Sequence, residues 1–502
     1  MTHTAEIDKL EDIEHMFERH EARIAKNEPE RTRFSTMTTT TPAFRFIDLF
    51  AGVGGFHAAL KAYGGECVYA VEIDKNAAET YRRNWGHDPL GDITKDANDD
   101  VMNVPEHEVL AAGFPCQPFS KSGAQRGMDE TRGTLYWNIL RIIQERKPKV
   151  VLLENVRNLA GPRHLHEWQV IIETLRDEGY RVSETPAIFS PHLLPPERGG
   201  RPQVRERVFI TATYNPTGDG DNLPVLPVAL PSDNIDGWEP KMEWHLEDLL
   251  DDSHNIDGCN LTDSERRWID AWDDWVQKWY EATEGRRPPG FPIWADSWTD
   301  FNKVVMKFGF VPEYRDLMNA DPELPQWKAG HLAKNYALYY EHREWIDKWA
   351  MKWGVYTDAF PASRRKLEWQ AQDTPKLWDT VMHFRPSGIR AKRPTYLPAL
   401  VAITQTSIVG PRERRLSPRE TARLQGLPDK FYFDHQRPAA TYKQMGNGVN
   451  VGVVWHVLRE HVKRDEDVLK QTEIGRQLVE AVLAAPMSPD KILEKHRPAF
   501  TS

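Results

Sequence analysis

The chain has 502 residues, 40% hydrophobic and 28% charged, with a formal net charge of −10. That length supports two or three domains with sizeable cores, and no apolar run reaches the roughly 20 residues needed to span a bilayer. Three cysteines (Cys67, Cys116 and Cys259) argue against a disulfide framework and for a reducing cytoplasm.

The N-terminus lacks the basic-then-apolar pattern of a secretion signal, and no Cys/His cluster has zinc spacing, so no metal site is expected. Residues 1–43 read as a separate piece. Ile7, Leu10, Ile13, Met16 and Phe17 recur at helical spacing, and STMTTTTPA (35–43) reads as a linker. A packing or dimerising helix is the expectation there.

FRFIDLFAGVGGFHAAL (44–60) predicts a strand running into Asp48, a loop with Gly52, Gly54 and Gly55, and a helix. Glycines let the backbone approach a ligand closely, and the helix N-terminus faces it. Alone, this Gly-rich turn is shared by many nucleotide folds. A second strand, CVYAVEID (67–74), ends in Glu72 and Asp74, where an acid can accept from ribose hydroxyls. In GDIT (91–94), Asp92 is placed to accept from an exocyclic amine. Each acid could equally be a solvated turn residue. Three ligand-shaped strand ends in order favour a nucleoside-like cofactor.

LAAGFPCQPFS (110–120) ends a buried strand at Pro115 and sets Cys116 between two prolines, so the turn is stiff and the thiol direction fixed. A structural cysteine more often sits within the apolar run. Residues 119–133 read as a polar, glycine-rich closing loop. A helix is predicted over 134–148. The buried strand KVVLLENVRNL (149–159) is tipped by Glu154 and Asn155. Burial raises a carboxylate pKa, which suits a proton donor; an N-cap or structural acid is the alternative. QVRERVFITA (203–212) predicts a strand with Arg205 and Arg207 on one face, suited to a phosphate or carboxylate, or else a charged edge.

From about 214 to 382 the character changes: fourteen of the eighteen tryptophans fall between Trp238 and Trp378. Trp268, Trp272, Trp275 and Trp279 share helical spacing, as do Trp345, Trp349 and Trp353, which predicts a helix-packing core rather than a base-stacking platform. The stretch 385–423 holds nine lysines and arginines against two glutamates, Glu413 and Glu420. A charge run is usually a solvated face, yet here it stands out from an acidic chain. RPSGIRAKR (385–393) predicts a loop that contacts a groove or phosphates through Arg385, Arg390, Lys392 and Arg393. LSPRETARLQGLPDKF (416–431) predicts a helix with a capping box, Ser417 to Glu420. YKQMGNGVNVGVVWHVL (442–458) reads as a Gly-rich turn feeding an apolar helix, and the segment from 462 as a charged helical tail.

In this order, DLFAGVGG, the VEID strand end, GDI, GFPCQPFS, RGTLYWNILRIIQERKPKVVLLENV, QVRER, RLSPRETARLQGLPD and QMGNGV resemble the cytosine-5 DNA methyltransferases of the bacterial modification type. The resemblance covers roughly 44–212 and 384–458. It departs at Gly448, where the family usually has Ser, and at an insert longer and richer in tryptophan than the usual target-recognition region.

The resemblance implies an α/β fold, a Rossmann-like sheet of an S-adenosylmethionine-dependent methyltransferase with helices on both faces, plus a largely helical inserted target-recognition domain. The expected division is an N-terminal helix and linker (1–43), a first catalytic part (44–213), the target-recognition region (214–400), a catalytic return (401–461) and a helical tail (462–502). It implies S-adenosyl-L-methionine held by Asp48, Phe50, Gly52, Gly54, Gly55, Glu72, Ile73, Asp92, Ile93, Pro115, Leu135 and Asn447. Cys116 is implied as the nucleophile and Glu154 as the acid, with Arg205 and Arg207 stabilising charge. Ser120 joins the four basic residues of 385–393 as a DNA contact. The partners implied are double-stranded DNA and a cognate restriction endonuclease, with no membrane, in a bacterial cytoplasm. The rivals are an RNA cytosine-5 methyltransferase, an inactive DNA-binding protein on the same frame, and a dinucleotide oxidoreductase, which gives Cys116 no role.

Overall fold

Strands that are apolar on both sides need a sheet covered by helices on both faces. A computed structural model describes residues 41–115, 134–217, 224–229, 238–239, 243–400 and 406–501. In it β1 (Phe44–Leu49), α1 (Gly55–Ala62), β2 (Gly65–Val71) and α2 (Lys75–Trp85) come first. β3 (Val109–Gly113), α3 (Leu135–Arg146), β4 (Val150–Val156) and α4 (Leu165–Asp177) follow. β5 (Tyr180–Val182), β6 (Ala187–Phe189), the short β7 (Gln203–Val204) and β8 (Arg207–Tyr214) complete this half.

The sheet order is β2-β1-β3-β4-β8-β5, with β6 also paired to β8. β1 to β4 run parallel, and β8 is antiparallel to its neighbours. Alternation along β3 splits the core in two. Val109 and Ala111 join Phe56 and Leu60 of α1 and Tyr81 of α2. Leu110 and Ala112 join Ile139 and Ile143 of α3 and Ile171 and Leu175 of α4. The expected helices on both faces are therefore present, and the carboxyl ends of β1 to β4 open on one side.

The tryptophan-rich region contains α5 (Asp263–Ala282), started by a Thr262–Glu265 capping box, and the long α6 (Gln326–Trp353). Trp272, Trp275 and Trp349 are fully buried between them. The Trp272 and Trp349 ring centroids lie 5.1 Å apart. Trp272 Nε1 donates to the Arg364 carbonyl (2.8 Å) and Trp349 Nε1 to the Ala271 carbonyl (2.6 Å). The stripe is a helix-packing core, as its spacing predicts.

Beside these helices stands a six-stranded sheet, where a largely helical insert is expected. It contains β9 (Ile293–Trp294), β10 (Lys366–Gln370), β11 (Val381–Arg385) and β12 (Gly388–Lys392). After β13 (Leu397–Pro398), which pairs with β7 instead, come β14 (Ile408–Val409) and β15 (Arg414–Arg415). The order is β15-β14-β11-β12-β10-β9. Strands of two to five residues are too short for a period of two to show. RPSGIRAKR is thus not a loop: it is the tight turn and second strand of the β11–β12 hairpin, in which Arg385 pairs with Gly388.

The chain returns through α7 (Pro418–Leu424), α8 (Pro438–Asn447), α9 (Val451–Arg464) and α10 (Glu473–Ala484). The predicted capping box is formed, but α7 ends well before 431, because Gly426 turns the chain at φ +78°. The expected Gly-rich turn begins later than predicted: α8 continues through Gly446, and the break comes at Gly448. α9 packs on α1, with Trp455 stacked on Tyr63 at 3.5 Å. No helix among the described residues is long and apolar enough to cross a membrane. Residues Ala43–Ser502 make one compact unit. The helix expected near the N-terminus and the loop expected at 119–133 lie outside the described residues.

Candidate active site

A cavity of about 500 Å³ opens at the carboxyl ends of β1 to β4. Of the residues predicted for the cofactor, Phe50, Gly52, Glu72, Ile73, Asp92, Ile93, Pro115, Leu135 and Asn447 line it. Gly52 sits at φ +55°, with nothing within 4 Å of where a Cβ would stand, so the backbone faces open space. Its N–H donates to Glu72 Oε2 (2.8 Å), and Glu72 Oε1 accepts from the Asp74 N–H (2.7 Å). The carboxylate is thereby oriented at the strand tip. Phe50 holds a left-handed backbone at φ 56°, a costly conformation for an aromatic residue and one that clusters at functional sites. Ile73 is 73% exposed. Asp92 caps a short helix, accepting from Thr94 N and Oγ1, and these bonds hold its pKa below the usual range.

Asp48, Gly54 and Gly55 are placed behind this wall rather than on it. Asp48 is fully buried; its Oδ2 accepts from the His57 N–H (3.2 Å) in the first turn of α1, and burial pushes its pKa well up. A side chain at Gly54 would collide with the Trp85 indole, whose Nε1 donates to the Val53 carbonyl (2.9 Å). One at Gly55 would press on the Val449 carbonyl. These two glycines allow α2 and the return segment to pack against the loop. The close approach of backbone to ligand, expected of the whole run, is available at Gly52.

At the other end of the cavity, Gly113 of β3 lies in register with Glu154 of β4. The Glu154 carboxylate is within 2.9 Å of Arg207 Nε. Burial raises its pKa, against the opposing pull of Arg207 and Arg205. Next to it, Asn155 Nδ2 donates to the Phe114 carbonyl (2.9 Å), tying the β4 tip to the residue just past β3. Pro115 lines the cavity and Cys116 follows it in the chain; Cys116 and Ser120 lie outside the described residues.

Arg205 and Arg207 were expected on one face of a continuous strand. Instead β7 stops at Val204 and β8 starts at Arg207. Both arginines line the cavity, but Arg205 is buried and donates to three backbone carbonyls: Leu400 (3.2 Å), Gly446 (2.9 Å) and Gly448 (2.7 Å). Burial, then the neighbouring Arg207, lowers its pKa to about 9, so it stays charged at neutral pH. Lys443, Gln444 and Gly446 of α8 also line the cavity, and Lys443 pairs with Asp74 (2.7 Å). Sequence reasoning missed them because it took this helix for a turn. Pro438 in its first turn was the available signal.

The basic stretch is largely neutralised by acids from distant parts of the chain. Arg390 pairs with Glu368, Arg393 with Asp373, Arg412 with Glu247 and Arg415 with Glu265. Arg423 pairs with Asp251 and Asp429, and Arg414 is fully buried against Glu420. Among the described residues, Arg385, Lys392 and Arg419 have no such acid partner, and Arg419 donates to the Phe431 carbonyl (2.9 Å).

The family model of C-5 cytosine-specific DNA methylases matches residues 44–463. The chain is 56% identical over 509 aligned residues to Type II methyltransferase M.AluI of Cellulosimicrobium cellulans, covering 89% of this chain and 97% of that protein. It is 45% identical over 171 residues to Type II methyltransferase M.HhaI of Haemophilus parahaemolyticus, covering 34% of this chain and 49% of that protein. For Type II methyltransferase M.MspI of Moraxella sp the identity is 43% over 173 residues, with coverage of 34% and 39%. Because the family match runs from the first strand of the sheet into the return helices, and a relative more than half identical is covered almost end to end, the protein belongs to the C-5 cytosine-specific DNA methylases.

Proposed function

We propose that the protein binds S-adenosyl-L-methionine and transfers its methyl group to carbon 5 of a cytosine flipped out of duplex DNA, as the modification enzyme of a restriction–modification system. The observation that carries this reading is the meeting of two kinds of surface in one cavity. A nucleoside-like wall (Gly52, Glu72, Ile73, Asp92) shares it with a buried, arginine-flanked carboxyl at Glu154. The exposed Ile73 fits an adenine face and the oriented Glu72 carboxylate fits ribose hydroxyls. When bound, the cofactor supplies a methyl group on a sulfonium, open to attack by carbon.

Cytosine carbon 5 is a poor nucleophile. Addition of the Cys116 thiolate at carbon 6 moves electron density to carbon 5, which then takes the methyl group. Loss of the carbon 5 proton to solvent water lets its bonding pair re-form the carbon 5–carbon 6 double bond as the carbon–sulfur bond breaks, which restores the thiolate. A free thiol has a pKa of about 8.5, so nearby positive charge must favour the thiolate. Protonated Glu154 donates to ring nitrogen 3 and withdraws charge as the adduct forms. Its burial favours that protonated form, and Arg207 steadies the anionic groups beside it. Neither carbon is reachable in stacked DNA, so the base is flipped at a cost of a few kcal/mol.

The test is trapping. Duplex DNA carrying 5-fluorocytosine should form a covalent adduct through Cys116 in the presence of cofactor, and Cys116→Ser should bind DNA yet neither trap it nor methylate it. Bisulfite sequencing of DNA from an expressing host would identify the modified cytosine. An adduct in the Cys116→Ser variant, or none in the parent on any target, would overturn the assignment.

A further inference from the structure

A second groove, of about 220 Å³, lies outside the catalytic cavity and has polar walls: Gln370, Gln372, Lys392, Arg393, Thr395 and Tyr396. Its floor comes from the parallel pair β10 and β12, in which the last residues, Gln370 and Lys392, are directly in register. Gln370 and Gln372 are both exposed. Gln372 holds a left-handed backbone at φ 53°, uncommon outside glycine. The buried Trp369 indole donates to its carbonyl (2.9 Å), pinning that conformation. A strained residue held in place by the core points to a function for its side chain.

The groove is tied to the catalytic cavity by a short tether. Tyr396 leads into β13, whose Leu397 and Pro398 pair with Gln203 and Val204 of β7. Two residues further on, the Leu400 carbonyl accepts from Arg205, which lines the cavity. Four residues reach at most about 14 Å. At about 3.4 Å per base pair that is about four base pairs. A duplex delivering its cytosine to the cavity would have neighbouring base pairs within about that distance of the groove.

We propose that Gln370 and Gln372 read base edges of the recognition sequence and that this sequence includes an A·T pair. A glutamine amide can donate to one edge atom of adenine and accept from another, a bidentate match. Lys392 beside them is placed for a backbone phosphate. The inference rests on the methyltransferase reading and adds a base preference to it.

The experiment is methylation of a duplex library carrying every single-pair substitution around the target cytosine, read by bisulfite sequencing. The parent should favour an A·T pair at one position or more. Gln370→Ala and Gln372→Ala should each reduce that preference about 5- to 150-fold at one pair, the range for loss of a bidentate contact. Gln370→Glu, which keeps the size of the side chain, should shift preference towards cytosine, whose N4 donates to a carboxylate. Parental preference retained in all three variants would overturn the proposal. So would an equal fall at every sequence, which marks a phosphate contact or a folding defect. Absence of methylation by the parent itself would instead overturn the methyltransferase reading.

Discussion

Ile73 offers a way to separate ligand binding from stability in a single substitution. It is a large apolar side chain, 73% exposed, on the wall of the catalytic cavity. Ile73→Ala removes three carbons. At about 0.8 kcal/mol per buried CH₂ group, full burial would make these worth about 2.4 kcal/mol. A cofactor can newly cover only the exposed fraction, 73%. The loss on binding is then about 1.8 kcal/mol, about 20-fold in Kd. The folded protein without ligand buries little of this side chain, so its stability should change by less than about 0.5 kcal/mol. Isothermal titration with S-adenosylmethionine gives the first quantity and thermal unfolding without ligand gives the second. A Kd within twofold of the parent, or a large fall in Tm, would refute the idea that Ile73 is held in solvent to receive an adenine.

Other substitutions probe the groups behind and beside that wall. Glu154→Gln should lower the methyl-transfer rate about 10²- to 10⁴-fold with DNA binding retained. Burial raises the Glu154 pKa and the protonated form is the acid, so the parental rate should fall as pH rises through that raised value, and the variant should lose this limb. Asp48 also has a raised pKa, from burial and then the Glu72 charge, opposed by the His57 N–H. Its stabilising contribution is complete below the unfolded value of about 3.9 and is lost as pH rises through the folded value. Asp48→Asn should remove up to about 1.4 kcal/mol per pH unit of that decline, measured by urea unfolding from about pH 4 upward. Trp272→Ala should cost about 3–5 kcal/mol by leaving a core cavity, whereas Trp327→Ala, at a side chain 63% exposed, should fall within about 0.5 kcal/mol; paired denaturation curves check both.

The legible parts of the sequence were those whose physics is local. The carboxyl end of a parallel strand is where a ligand meets the sheet, so Glu72, just past β2, and Glu154, near the end of β4, could be picked out by position, whereas Asp92, read as a strand end, caps a short helix. The tryptophan spacing placed α5 and α6 against each other for the same reason. Two kinds of feature escaped. One was short strands, since the two residues of β9 or β14 carry no period. The other was anything settled by a partner far along the chain. Gly54 resembles Gly52 in sequence, but what decides its role is Trp85, more than thirty residues on. The positive run at 385–423 is real in composition, yet Glu247, Asp251, Glu265, Glu368 and Asp373 reach it from outside that window.

The pair Arg205 and Arg207 shows how such distant contacts divide labour between like residues. Two residues apart on an unbroken strand, they would share a face and an environment. The interruption between β7 and β8 turns them to different tasks. Arg207 meets the Glu154 carboxylate directly. Arg205 gives its donors to Leu400, Gly446 and Gly448, joining the strand end to the segment after β13, to the last turn of α8 and to the residue that follows it. Of these partners Gly446 lines the cavity, so the buried cation fixes the end of α8 against the strand that carries Arg207. The same charge acts on Glu154 through space, lowering its pKa less than burial raises it. With Arg205 committed to backbone carbonyls, Arg207 is the guanidinium that pairs with the Glu154 carboxylate, and burial outweighs the pull of both.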